Sequence, residues 1–165
     1  MSLKNKALKA FGLFFGLFKV FKIFSYSREE IFFIMIAWFW LIIAKVSIFL
    51  LSFNQLKKLM GEGRDLAVNS PIIENQLSDQ TREKILLVKY SIGRAARLLP
   101  FHCQCLVTAI TARKLLKKLN YSPDLYLGVA KDPEKGLAAH AWVKLGDVWV
   151  TGQTAQSFTI FKVFS

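Results

Sequence analysis

Pro100-Phe-His-Cys-Gln-Cys-Leu-Val-Thr-Ala-Ile-Thr-Ala-Arg-Lys-Leu-Leu-Lys-Lys-Leu119 holds both cysteines of the chain and one of its two histidines. Behind them Leu106, Ala109, Ile110, Leu115, Leu116 and Leu119 recur at helical spacing, which predicts a helix starting at or near Cys105. Unpaired backbone N–H groups and the positive end of the helix dipole converge at such a start, and both favour a thiolate over a thiol. The second histidine, His140, lies in the alternating run Leu137–Leu145, which reads as a strand. A cysteine on a helix tip facing a histidine on a strand suits nucleophilic chemistry, because the imidazole holds the ion pair and later protonates the leaving group. Cys103, two residues earlier, would point about 200° away round a helix axis, so both thiols cannot face one histidine. It reads as a small buried hydrophobe.

The chain has 165 residues, enough for one domain of ordinary size with some extra helix attached. Apolar residues make up 53%, including 15 Phe, which excludes intrinsic disorder and requires burial in protein or lipid. The net charge of +12 implies an anionic partner: membrane headgroups, nucleic acid or an acidic peptide. No helix-turn-helix, RNA-recognition or zinc-finger signature is present, so no nucleic acid is expected. A Cys-x-Cys pair is not a disulfide framework, and a cytoplasmic location with free thiols is expected.

Residues 1–26 carry five lysines and no acid, interleaved with apolar residues such as Leu8, Phe11, Phe14, Phe15, Phe18 and Phe21. The pattern fits a helix lying on anionic lipid and equally an arm packed on its own domain. Lys19 and Lys22 stand where a signal-peptide cleavage site would be, which argues against that third reading. The run Ile31–Phe53 is long enough to cross a bilayer. Lys45 interrupts it, and a mid-span charge costs roughly 3 kcal/mol on insertion scales, which the surrounding Phe, Ile and Leu can outweigh. A buried globular helix with Lys45 snorkelling from one face fits as well. The expected organisation is therefore 1–54, basic and hydrophobic helices with possible membrane association; 55–79, a connector containing Gly61-Glu-Gly63 and Ser70-Pro71; and 80–165, a compact domain.

Within that domain, Asp79 or Thr81 can cap a helix that runs to a stop at Pro100. After the cysteine helix, ended by Asn120 and Pro123, strands are expected at 125–130, 137–145, 148–153 and 158–164, with turns at Lys131–Gly136 and Gly146-Asp147. Helices first and an antiparallel sheet after define an α+β fold. If Gly146-Asp147 is a two-residue hairpin loop, Leu145 pairs with Val148, Trp142 with Thr151 and His140 with Gln153. Gln153 is then the candidate to orient the imidazole. Asp147, roughly 20 Å away along an extended strand, is too far and reads as a turn residue. Trp142 and Trp149 read as sheet packing.

The run Arg94-Ala-Ala-Arg-Leu-Leu-Pro-Phe, Cys105-Leu-Val with Ala109, Ala112-Arg and Leu115-Leu116, Leu125-Tyr-Leu-Gly-Val-Ala-Lys-Asp132, Ala139-His-Ala-Trp-Val143 and Val150-Thr-Gly152 together resemble the lasso-peptide leader peptidase family. The resemblance covers roughly residues 80–165 and implies a transglutaminase-like, papain-related cysteine protease domain. It implies removal of the leader from a lasso-peptide precursor, with Cys105 as nucleophile and His140 as base, and no cofactor. Nothing before residue 80 looks like the family's winged-helix recognition domain, so a separate leader-recognition protein is implied, alongside a macrolactam-forming cyclase. The family's triad is usually completed by an acid, whereas Gln153 here is neutral and stabilises an imidazolium less.

Other readings of the same residues remain. Acyl transfer follows if an amine replaces water. His102, Cys103, Cys105 and His140 are zinc-type ligands, but the adjacency of His102 and Cys103 is awkward for tetrahedral closure. A membrane-associated, non-catalytic binding module would use the basic N-terminus and leave the thiol idle.

Overall fold

The computed structural model of the protein describes residues 26–60, 63–64, 77–132 and 136–164. The chain divides into two compact units, Met1–Phe32 and Phe33–Ser165. Of the basic N-terminal stretch, residues 1–25 lie outside the described residues, and so does the tip of the Lys131–Gly136 turn, 133–135. The described part of the first unit is the start of helix α1 (Arg28–Leu50), which opens on a capping box. The Ser27 N–H donates to Glu30 Oε2 at 2.9 Å, and the Glu30 N–H donates to Ser27 Oγ at 3.2 Å.

In the second unit, α1 buries a narrow stripe of Ile34, Ala37, Leu41 and Ala44, whose two alanines permit close approach. Much of the rest of it is apolar and exposed: Met35, Phe39 and Phe49 are 62%, 56% and 87% accessible. The helix is long and apolar enough to cross a membrane, and 22% of its most apolar window is buried. Length and composition fit a membrane-associated helix and the core helix of a soluble domain alike. Lys45 leaves the apolar run by reaching over the Phe101 ring, 5.9 Å from its centroid.

The connector opens with the short helix that its Leu56–Met60 run allows. Helix α2 (Phe53–Met60) buries Leu56 and Met60. Strand β1 (Gly63–Arg64) pairs with the end of the last strand. Helix α3 (Asp79–Leu98) is capped by Ser78, not by the expected Asp79 or Thr81, and the Ser78 Oγ accepts from the Thr81 N–H at 3.3 Å. It ends where a residue before proline must leave helical space: Leu99 is extended, with ψ 144°. Helix α4 (Cys105–Lys118) closes on a Schellman motif. Asn120 takes the left-handed conformation (φ 63°), its N–H donates to the Lys117 carbonyl, and the Tyr121 N–H donates to that of Leu116.

Strands β2 (Asp124–Asp132), β3 (Gly136–Leu145), β4 (Val148–Thr151) and β5 (Thr159–Phe164) complete an antiparallel sheet in the order β1-β5-β2-β3-β4. The architecture is the expected α+β, and the helices precede the sheet in the chain except for the short β1, which comes before α3. Helix α4 packs mainly on β3 and β4, and α3 packs on α4 and β4. Leu125 and Val143, cross-strand partners, are fully buried on one face of the sheet. Tyr126 and Trp142, the next pair, stack at 5.6 Å on the other, where they form a second apolar cluster with Val163. Gly146 has φ 55° and Asp147 does not have a positive φ, the pattern of a type II′ hairpin turn. Arg82 of α3 hydrogen-bonds Asp147 and ties the helix layer to that turn.

Nothing lies within 4 Å of a Cβ added at Gly93, which is exposed in the middle of α3, so Gly93→Ala should stabilise by about 0.5–1 kcal/mol in urea denaturation. The Arg82 hydrogen bond, against a smaller desolvation effect, holds the Asp147 carboxyl below its ordinary value. Its stabilising effect is present above the unfolded carboxyl value and disappears as pH falls through the folded one. Asp147→Asn should therefore flatten the acid limb of the stability–pH curve and leave its alkaline limb unchanged.

Candidate active site

Cys105 is the first residue of α4, and the sequence places no acid in that first turn. Gln104 precedes it as the N-cap with an extended backbone but makes no side-chain hydrogen bond to the helix. The leading N–H groups of α4 are thus left without a side-chain acceptor, while Lys117 and Lys118 occupy the last turn, where cations suit the dipole. Thr108 Oγ1 donates back to the Cys105 carbonyl at 2.9 Å, which stiffens the turn behind the thiol. Among the described residues the Cys105 side chain makes no hydrogen bond.

Cys103 sits in the preceding loop. Burial pushes its thiol above the ordinary value, and the charge of Lys45 offsets this only in part. A raised value keeps the sulfur protonated, the opposite of what attack requires.

His140 lies on β3 opposite Gly128. Its ring is flanked by Phe158 at 5.0 Å and Trp142 at 5.8 Å. Its Nε2 lies 2.8 Å from the Gly152 carbonyl oxygen. A carbonyl can only accept, so Nε2 carries the proton and Nδ1 keeps the free lone pair. The partner on the ring is therefore a backbone oxygen. The expected cross-strand pairing of His140 with Gln153 needs correction, because the β3–β4 ladder contains a bulge. Leu145 pairs with Val148 as expected and Lys144 with Trp149, but Val143 then pairs with Thr151. That extra residue on β4 displaces everything beyond it by one position and to the other face. Gln153 is exposed and outside the strand.

Two glycines make room for this arrangement. Gly152 has φ 71°, and a Cβ there would meet the Ala141 carbonyl at 2.6 Å and the Trp142 Cβ at 2.7 Å. A Cβ at Gly128 would meet the Trp142 ring at 2.8 Å and the Phe158 Cβ at 3.0 Å. Next to the imidazole, Trp142 and Phe158 line a cavity of about 360 Å³ that also involves Tyr126, Lys144 and Trp149. Trp142 is 5% exposed and packs as sheet core, as its sequence position suggested, yet it is also one wall of this cleft. Burial pushes the Tyr126 phenol up to about 12, with Asp124 adding to it.

The short connection 119–123 turns the chain back into β2, so α4 runs parallel to β3, on which it packs. His140 belongs to the Trp142 face, whereas α4 packs on the Leu125–Val143 face. Among the described residues β4 pairs with β3 only from Val143 onward, so the ladder stops short of His140 and Gly152 lies beside the β3 backbone instead. His102 is exposed, and among the described residues no three His, Cys, Asp or Glu side chains converge.

A sequence profile of the transglutaminase-like superfamily matches residues 48–163, from the end of α1 through β5. The chain belongs to the transglutaminase-like superfamily. Members of the superfamily are typically cysteine-dependent enzymes of papain-like protease or acyltransferase kind, which agrees with a helix beginning at cysteine beside an antiparallel sheet bearing histidine. The match takes in α2 and β1 as well as the region from residue 80 on which the sequence resemblance rested. No curated protein and no solved structure matches the chain. Three features of the transglutaminase-like site escaped sequence reading: the Gly152 carbonyl, the Phe158 ring and the clearance at Gly128. A lone glycine at the end of a strand pattern, as in Val150-Thr-Gly152, is the signal that a bulge or tight approach was present.

Gly152→Ala should cost about 1–3 kcal/mol through strain and steric overlap. It should also convert the His140 ring from one fixed tautomer to a mixture, read from its ¹⁵N resonances, while Gln153→Ala leaves both unchanged. An unaltered tautomer in Gly152→Ala would exclude the carbonyl as the orienting group.

Proposed function

We propose that the protein is a cysteine peptidase that removes the leader from a lasso-peptide precursor. Cys105 is the nucleophile, His140 the base, and the Gly152 carbonyl the group that orients the ring. The observation that carries this reading is the Nε2–H bond to Gly152, which leaves Nδ1 as the basic nitrogen of a ring already held in place. The superfamily match and the motifs around Cys105 and Ala139-His-Ala-Trp-Val143 support it.

In this mechanism Nδ1 takes the thiol proton and Cys105 Sγ attacks the scissile carbonyl carbon. The oxyanion meets the uncapped N–H groups of the first turn of α4. The imidazolium then gives its proton to the departing amine, leaving a thioester. Water, deprotonated by Nδ1, releases the leader carboxylate and restores the thiol. Substrate must draw the sulfur and the ring together, since apo contacts of this kind tighten on binding. A neutral carbonyl fixes the tautomer but stabilises the imidazolium less than a carboxylate does. The aromatic cleft beside His140 would seat a precursor side chain next to the scissile bond. A separate leader-recognition protein and a cyclase act with it, and the apolar α1 suits work at the cytoplasmic membrane face.

Mass spectrometry of precursor mixed with this chain and a recognition protein tests the assignment. Cys105→Ala should lower cleavage by about 10³-fold or more, and His140→Ala similarly, while Cys103→Ala stays within a few-fold of wild type. Loss confined to Cys103→Ala would overturn this division of roles, and a leader joined to an added amine would reassign the reaction to acyl transfer. The bifunctional reagent 1,3-dibromoacetone should bridge Cys105 and His140 in one tryptic product if the two groups meet.

A further inference from the structure

On the other side of α4 from this cleft is a cavity of about 350 Å³ between α1, α2, α4 and the start of β2. Its wall is apolar where Ile43, Leu56, Met60 and Ile110 meet. Its remaining side is cationic, formed by Arg113, Lys114, Lys117 and Lys118 in one stretch of α4. Arg113 is 4% exposed, and its Nε and Nη2 are enclosed with no hydrogen-bond partner. The Asp124 carboxylate is near enough to favour the charge on Arg113 but does not hydrogen-bond Nε or Nη2. A guanidinium does not shed its proton to escape burial, so those two N–H groups call for acceptor oxygens, and their fork matches phosphate or carboxylate. Lys114 and Lys118, exposed and one turn apart, both lie over the Trp40 ring, at 5.3 Å and 5.2 Å from its centroid. Burial, then the neighbouring charges of Arg113 and Lys114, pull the Lys117 ammonium below its ordinary value.

An inorganic anion has no use for the apolar wall, and a neutral lipid has none for a buried guanidinium. The helix forming one side of the cavity also exposes Met35, Phe39, Val46, Phe49 and Leu50, a surface suited to hydrocarbon. We propose that this cavity binds an anionic phospholipid, with the phosphate on Arg113, Lys114 and Lys118 at the mouth, and the upper acyl chain over Ile43, Leu56, Met60 and Ile110. Bound there, the lipid sets the orientation of α1 against the membrane surface, and it does so whether or not Cys105 cleaves peptide.

The basic segment 1–26 attracts any anionic surface, so the test uses monomeric lipid rather than vesicles. Calorimetric titration of the full chain with dihexanoyl-phosphatidylglycerol below its micelle concentration should show one saturable site. The site should be at least about tenfold tighter than for dihexanoyl-phosphatidylcholine or for glycerol phosphate. Arg113→Gln and the double variant Lys114→Gln/Lys118→Gln should each weaken it by about tenfold or more. Should Arg113→Gln fail to fold, the exposed lysine pair carries the test, with circular dichroism confirming its fold. Equal affinity for the choline lipid, equal affinity for glycerol phosphate, or undiminished binding by the lysine variant would each overturn the proposal. So would displacement of the lipid by an Asp/Glu-rich peptide at stoichiometric concentration, which would make the cavity a peptide site.

Discussion

Between the pairs Lys144–Trp149 and Val143–Thr151 the β3–β4 ladder takes up one extra residue, and the geometry around His140 depends on that slip. A strand that kept its register there would carry Gln153 to the face of His140 and continue the ladder. Instead β4 stops at Thr151, Gly152 adopts a positive φ against the β3 backbone, and its carbonyl turns to the imidazole. The bond it accepts decides which ring nitrogen is basic. One backbone irregularity thus fixes the orientation of the ring, and it does so with a group that cannot be titrated.

Around that ring the aromatic residues are shared between stability and chemistry. Trp142 stacks on Tyr126 in the sheet cluster and on the imidazole at the cleft, while Phe158 comes back over the same ring from the loop after β4. Gly128 is what lets these rings close on the sheet. The ring of His140 is therefore held between aromatic planes and a carbonyl before any substrate arrives, and the freedom left to the site lies in bringing the sulfur of Cys105 to it.

Helix α4 divides the molecule's two charge environments. Its first turn is free of acid and of a side-chain cap, and its C-terminal half crowds four cations into residues 113–118. The dipole favours the cations at the end, and at the start it favours an anionic group that the first turn itself does not supply. The same helix that leaves its leading N–H groups without a side-chain cap at Cys105 also concentrates cationic charge where it meets α1.

Local pattern was enough for much of this. Period, caps and breakers in the sequence determined that a helix opens at Cys105, that α3 ends before Pro100, that Asn120 terminates α4 and that an antiparallel sheet follows, because each depends on neighbours within a few residues. The paired hairpin at Gly146-Asp147 was legible for the same reason. What lies beyond that turn was not: a bulge is a compromise between twist and packing on both faces, so the choice of Gly152 over Gln153 was made by tertiary contacts. Arg82 and Asp147, far apart in the chain, meet only because α3 docks on the turn. Arg113 reads in sequence as one more cation on a helix, and only the packing of α1 and α2 against α4 buries it without partners, since burial belongs to the assembled layers and not to any one of them.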